Sequence, residues 1–351
     1  MVKSNDFSKI EKAHILVIRL SAMGDVAMTV PVLRVFRARY PDVKLTVLTR
    51  KFFEPLFSDI ANLNVHHADV NGVHKGVFGL NKLAKELVAL KITAVADLHN
   101  VLRSNVLKTF FFLKGIPVIQ IDKGRAEKKA LTRAKNKEFK QLTTTHQRYA
   151  DVFSKLGFPI DLATHVFPKK KSLTPDIISI TQYSTKKWLG IAPFAQYESK
   201  TYPLELMVTV IENLNSSNAY EIFLFGGGKK EQDILNNIAS KYDNVTNIIG
   251  KLSFDEELRL IGNLDKMLSM DSGNAHIAAM YGVTTITIWG VTHPFAGFMP
   301  FGQPIERAIL PNLAKYDQIP TSIYGNKVPL GYEKVMHTIS PDMVIDALKN
   351  L

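Results

Sequence analysis

The residues best placed to do chemistry stand just beyond apolar runs. Residues 15–18 (ILVI) lead into Arg19-Leu20, the small turn Ser21-Ala22-Met23-Gly24, and then Asp25 at the head of a helical pattern. This reads as a buried strand, a tight turn and a helix N-terminus. Open α/β sheets bind ligands in the crevice outside the carboxyl ends of their strands. Free backbone N–H groups and the positive end of the helix dipole converge there. Asp25 is therefore either the cap of its helix or a base facing the crevice.

The same layout recurs in residues 270–279, MDSGNAHIAA. A strand ends, Asp271-Ser272-Gly273 makes the turn, and a helix begins whose first turn offers Asn274 and His276. A glycine turn at a helix N-terminus lets N–H groups approach a phosphate, and His276 adds a donor. Asp271 either accepts from ribose hydroxyls or caps the helix. In residues 192–203, APFAQYESKTYP, a strand end is followed by a loop carrying Gln196 and Lys200. The Lys200 ammonium is either a counter-charge for a diphosphate leaving group or solvated surface. Gly226-Gly227-Gly228 follows a further strand, and the missing side chains permit close backbone approach.

Several chemistries are disfavoured. No GxGxxG follows a strand and no GxxxxGK[ST] is present, which argues against nicotinamide-binding and P-loop enzymes. No two aspartates stand at i and i+2 to hold a metal–diphosphate, and the histidines lack metal-ligand spacing. With no cysteine there is no disulfide, thiolate site or cysteine nucleophile. No metal or other cofactor is expected.

The elements that must position these residues are repeated βα units. Strands are predicted at 14–20, 44–49, 64–67, 92–97 and 117–121, with helices at 26–39, 80–90, 100–113 and 145–156. Prolines 159, 168 and 175 and the run Lys169-Lys170-Lys171 mark a domain boundary between 157 and 187. A second series has strands at 188–192, 221–225, 245–249, 265–270 and 284–289. Its helices begin at 203, 230, 254 and 273, and Ser340-Pro341 opens a last one. Two similar halves imply an α/β protein of two doubly wound, Rossmann-like domains facing a central cleft.

With 351 residues, 46% hydrophobic and 22% charged, the chain is an ordinary globular protein of about two domains. No apolar run is long enough to span a bilayer, and the N-terminal residues lack the apolar core of a signal segment, so a cytoplasmic location is expected. The net charge of +12 points to an anionic partner. Positive charge is densest between residues 123 and 148, with nine Lys or Arg against Glu127 and Glu138. That stretch reads either as a solvated arm or, through residues such as Lys128 and Arg133, as a contact for an anionic acceptor. A nucleic-acid-binding protein is a weaker reading, because the charge is not interleaved with aromatics.

RLSAMGDVAMTVPVLRVFRARYP, DLHNVLRSN, SKTYP, KLSFDEELRLIGNLDKMLSMDSGNAHIAAMYGVTTITIWG and HPFAGFMPFG occur in this order between residues 14 and 302. Together they resemble the ADP-heptose:lipopolysaccharide heptosyltransferases, glycosyltransferase family 9. The resemblance implies a GT-B fold without a catalytic metal and transfer with inversion. The donor would be a nucleotide-diphospho-sugar such as ADP-heptose. The acceptor would be an anionic lipopolysaccharide core met at the cytoplasmic face of the inner membrane, without a transmembrane segment. It also implies an acceptor-binding domain at 1–172, a donor-binding domain at 173–335, and a last helix, 336–351, that returns to the N-terminal domain.

Carried over by residue, the resemblance makes Asp25 the general base and puts Arg103 on the acceptor side, where Met23 and Gly24 of the Asp25 turn are also expected. Lys200, Asp271, Gly273 and His276 would serve the donor, and Gln196, Gly226, Gly227 and Ser272 on the same turns are expected to bind it with them. The chain departs from the family where hydroxyl residues often precede the lysine, having Ala195-Gln196 instead. It carries Lys229-Lys230 where an acidic ribose ligand is common, and no cysteine in TSIYGNKVPLGYEKVMH. A GT-B enzyme using another nucleotide-sugar, a transferase or a 2-epimerase, is the alternative.

Overall fold

A buried parallel strand needs apolar residues on both faces, and the short runs of the N-terminal half supply them. The computed structural model describes residues 13–181 and 185–350. Strands β1 (His14–Ile18), β2 (Lys44–Thr49), β3 (Leu63–His67), β4 (Ala94–Asp97) and β5 (Val118–Gln120) form a parallel sheet in the order β3-β2-β1-β4-β5. Ile18 lies opposite Asp97, so β1 and β4 end level with one another. The chain departs in opposite directions from these two strands, which makes the gap between them the topological switch point of the sheet.

The single helix predicted at 26–39 is two helices, α1 (Met23–Ala27) and α2 (Thr29–Arg39). Starting a new helix at Thr29 puts Pro31 in a first turn, where its missing N–H costs no hydrogen bond. The split leaves Asp25 on a short helix of its own beside the crevice. Helices α3 (Gly76–Ala89) and α4 (Leu102–Phe112) cover one face of the sheet. They bury Leu80, Leu83, Leu87, Leu107 and Phe111 against Leu16, Ile18 and Val95.

Helix α5 (Arg125–Thr132) belongs to the second unit, while α6 (Thr145–Lys155) packs on α2, with the Phe36 and Phe153 rings 4.7 Å apart. The chain thus divides into one unit running through Lys123 and resuming at Thr145–Val166, and another made of Gly124–Thr144 and everything from Phe167 on. The last change of unit comes between Val166 and Phe167, and the excursion of 124–144 adds two changes that a single boundary near 172 does not contain. The reading of that stretch as a solvated arm does not hold for all of it. Leu131 and Leu142 are buried with Ala296, and these few apolar residues outweigh the surrounding charge.

Helix α7 (Pro175–Thr181) precedes the second sheet. That sheet comprises β6 (Lys187–Ala192), β7 (Tyr220–Leu224), β8 (Val245–Asn247), β9 (Lys266–Met270), β10 (Thr284–Ile288) and β11 (Ala308–Ile309). All pairings are parallel in the order β11-β10-β9-β6-β7-β8, and Ala192 stands opposite Ser269. Helices α8 (Leu204–Ser216), α9 (Gly228–Ala239), α10 (Phe254–Asn263) and α11 (Gly273–Met280) connect the strands, and α12 (Pro341–Lys349) closes the chain. The last helix does not follow the expectation of a return to the N-terminal domain. Its stripe Val344, Ile345 and Leu348 joins the core cluster of Val210, Ile211 and Leu214 on α8, and the Lys266 ammonium donates to Leu348 O.

Candidate active site

Both sheets place polar residues at their switch points. In the first unit, Arg19 leaves the end of β1 and is only 6% exposed. One guanidinium nitrogen donates to Leu98 O at 2.7 Å, and the other is paired with Asp25 Oδ2. Burial works against the Arg19 charge, but Tyr149 and the Asp25 and Asp97 carboxylates more than offset it and hold the pKa above the usual arginine value. Tyr149 is buried, which pushes its phenol up, and its hydroxyl donates to Asp25 O at 3.4 Å.

Asp25 stands at the third position of α1. The Ala22 N–H reaches its Oδ2 at a long 3.4 Å, so the capping role is present but weak. Both contacts fall on Oδ2. Oδ1 makes no hydrogen bond among the described residues, and the side chain is 29% exposed. The neighbouring Asp97 is the opposite case. It is fully buried and has both oxygens engaged, accepting from the His99 and Asn100 N–H groups at 2.9 Å each and from Gln120 Nε2 at 2.8 Å. Burial first, and then the Arg19 charge, lower the His99 pKa to about 4, so its imidazole is neutral.

In the second unit, Lys200 follows β6 and Asp271 follows the adjacent β9. Their side chains are paired, Nζ to Oδ2, at 2.9 Å. Thr292 Oγ1 donates to the same Oδ2 at 2.9 Å, and Oδ1 makes no hydrogen bond among the described residues. Ser272 is the N-cap of α11 without a side-chain cap bond, its hydroxyl lying 3.1 Å from that of Ser269. The first N–H groups of α11, beginning at Gly273, are thus left for another acceptor. His276 lies one turn in and is buried. An ammonium beside an uncapped helix N-terminus is a site for a phosphate.

The loop carrying Lys200 is held from two sides. A Cβ on Gly290 would collide with Ser199 O, and one on Gly325 would lie 2.5 Å from Lys200 Cδ. Gly325 has φ +87°, a conformation that glycine adopts without penalty. At the glycine turn, Gly227 N–H donates to Glu231 Oε2 at 2.7 Å.

A glycosyltransferase family 9 (heptosyltransferase) model matches residues 80–318. The chain belongs to that family. It is 27% identical over 290 residues to the lipopolysaccharide core heptosyltransferase OpsX of Haemophilus influenzae, covering 79% of each chain. Among solved structures, a family 9 glycosyltransferase from Veillonella parvula superposes with TM-score 0.73 at 19% identity over 96% of both chains. E. coli heptosyltransferase WaaC with ADP-2-deoxy-2-fluoro heptose gives 0.66 at 18% identity, covering 96% of this chain and 99% of that one. The fold is that of these glycosyltransferases, two Rossmann-like units in one chain, which is the GT-B class.

The structure brings together Lys200, Asp271, Ser272, Gly273 and His276 of this glycosyltransferase at the β6/β9 switch point. Gly226 and Gly227 stand at the end of β7, the neighbour of β6, and Gln196 is exposed in the loop after β6. Met23 and Gly24 are half-buried in α1 beside Asp25, and Arg103 is exposed at the start of α4. Lys128, expected on the acceptor side, is buried, its ammonium 4.4 Å from the Phe298 ring centroid. Burying Leu131 carries Lys128, on the same short helix, inward as well. Arg133 is exposed and pairs with Glu138 at 3.2 Å.

Sequence reasoning missed Arg19, Thr292, Gly325 and Glu231. Only Arg19 left a signal, as a charge directly after a fully buried strand. Among the described residues no group of three or more His, Asp or Glu could hold a metal ion, and no helix is long and apolar enough to cross a membrane.

Proposed function

We propose that this glycosyltransferase moves a heptose from ADP-heptose to a hydroxyl of an anionic lipopolysaccharide core acceptor, inverting the anomeric centre. The names of its relatives support the sugar and the acceptor, and the ligand of WaaC supports the nucleotide. The observation that carries the reading is the Lys200 ammonium beside the uncapped N-terminus of α11. Together they form a site for the diphosphate of the donor and for the charge that grows on it as it leaves.

Asp25 is the general base in this reading. Its open Oδ1 takes the proton of the acceptor hydroxyl, the new bond forms from that oxygen to the anomeric carbon, and the bond to the diphosphate breaks. Arg19 fixes the carboxylate through Oδ2 and leaves Oδ1 without a hydrogen bond among the described residues. In the donor site, Lys200 exchanges Asp271 for phosphate. Asp271, kept in place by Thr292, then accepts from a ribose hydroxyl, with Glu231 at the glycine turn as a second acidic ligand. Met23, Gly24 and Arg103 serve the acceptor.

Thermal unfolding of the wild type and Asp271→Ala, each with ADP, UDP, GDP, CDP and ADP-heptose, tests the donor site. A nucleotide at about 100 times its Kd stabilises by about 2.7 kcal/mol, a shift that is easily measured. ADP and ADP-heptose should raise the Tm of the wild type and not of the variant. A stronger shift by another nucleotide replaces the donor, and no shift by any of them overturns the reading.

A further inference from the structure

Helices α3 and α4 bury one side against the first sheet, and their other side is unusual. Phe78 is 92% exposed, Leu102 81%, Phe112 77% and Leu113 72%. Scattered apolar residues on a surface call for no explanation, but three large ones on two neighbouring helices and a fourth at the C-cap of α4 do. Both helices run antiparallel to the strands they connect. Phe78 and Leu102 therefore stand at one end of the layer, and Phe112 and Leu113 at the other.

The charge of the layer is equally one-sided. Residues 75–114 contain seven Lys or Arg against two acids, Glu86 and Asp97. Asp97 is fully buried, and the Glu86 carboxylate is occupied by His66 at 3.3 Å and His74 at 3.2 Å. Lys75, Lys82, Lys85, Arg103, Lys108 and Lys114 are exposed. The layer thus offers apolar anchors at its two ends with ammonium groups between them, and no acid that is both exposed and uncommitted.

We propose that the outer face of the α3–α4 layer docks on an anionic lipid bilayer. Aromatic and aliphatic side chains enter the boundary between headgroups and acyl chains while lysines reach the headgroup charge. Charge complementarity selects the bilayer over a second copy of this chain, whose matching face is cationic too. Arg103 begins α4 at the edge where Asp25 stands, so docking would bring a lipid-linked acceptor to the mouth of the first unit. The use of such docking rests on the proposed function, but the docking itself is measured with neither donor nor acceptor present.

The test is co-sedimentation with sucrose-loaded vesicles of phosphatidylglycerol and phosphatidylcholine, against phosphatidylcholine alone. The wild type should pellet with the anionic vesicles only, and less as salt is raised. Phe78→Ser combined with Phe112→Ser should lower the partition coefficient about tenfold or more while leaving the Tm and the ADP shift unchanged. Lys82→Glu with Lys85→Glu should do the same through charge. Undiminished partition of the Phe78/Phe112 variant overturns the proposal, as does equal binding to neutral vesicles. A wild-type dimer in light scattering that this variant dissolves, without vesicle binding, reassigns the face to self-association. A lost ADP shift with intact vesicle binding would remove the donor reading and leave the docking standing.

Discussion

The two units solve one electrostatic problem in opposite ways. Each is a doubly wound parallel sheet with a carboxylate at its switch point. In each, the carboxylate has one oxygen paired with a cation and the other unbonded among the described residues. In the first unit the cation is the fixed partner. Arg19 is locked by Leu98 O and by burial, whereas the Asp25 side chain is 29% exposed. In the second unit the carboxylate is the fixed partner, 9% exposed and tied to Thr292, and the cation is an ammonium at the end of a four-carbon stem. A rigid guanidinium fork presents a carboxylate, while a flexible ammonium can leave one for an incoming anion. The first arrangement suits a base, the second a phosphate receptor.

The sharpest way to break this comparison is to remove one charged group from each unit in turn, the carboxylate of the first and the ammonium of the second. Asp25→Asn should lower kcat by about 10²–10⁴-fold, the usual contribution of a general base, while leaving the ADP-induced Tm shift intact. Lys200→Ala should do the reverse in its first effect, abolishing the ADP shift. An Asp25→Asn protein that turns over near the wild-type rate makes the carboxylate a helix cap and nothing more. Loss of the ADP shift in that variant would show that the two roles are not divided between the units.

A smaller effect tests whether the fork itself matters. Arg19→Lys keeps the charge but gives up the paired nitrogens that reach Leu98 O and Asp25 Oδ2 at once. Losing one buried charged hydrogen bond should cost about 1–3 kcal/mol of stability, read from denaturant unfolding. If Arg19 positions the base, kcat should fall while KM for the donor holds; equal kcat in the two proteins would make Arg19 a purely structural group.

Much of this site was legible because strand ends are local features. The apolar runs before Asp25 and Asp271 bracket their turns to within two residues, and each turn begins a helix. The pairing of Lys200 with Asp271 was not readable, since the two sit on strands made adjacent by topology alone. Arg19 was read as the continuation of a strand expected at 14–20, and its partner Leu98 O lies 79 residues away. Gly325 gained a meaning only when it met the stem of Lys200. In the 124–144 excursion the cations are plain in the sequence, but Leu131 and Leu142 decide where it packs. The last helix carries an ordinary apolar stripe that would fit either unit; α8 supplies the groove it takes.

Acid unfolding tests the comparison at its weakest point, because each unit also buries a neutral histidine. Burial and Arg19 lower His99 to about 4, and burial with Lys137 lowers His293 to about 4. An unfolded histidine titrates near 6.5, so between pH 6.5 and about 4 the unfolded chain holds protons that the folded chain refuses. Stability from these residues is therefore complete above pH 6.5 and is lost as the pH falls toward 4. His99→Gln and His293→Gln should each flatten the acid limb of a Tm-against-pH curve, whatever they cost at neutral pH. A limb of unchanged slope in both variants would mean that neither imidazole is kept neutral by its surroundings. Flattening by His99→Gln alone would tie acid sensitivity to the unit where the buried cation is immobile. The Lys137 ammonium also donates to Gln318 O and Pro320 O within the second unit, so there the charge facing the histidine is held by carbonyls rather than by a carboxylate.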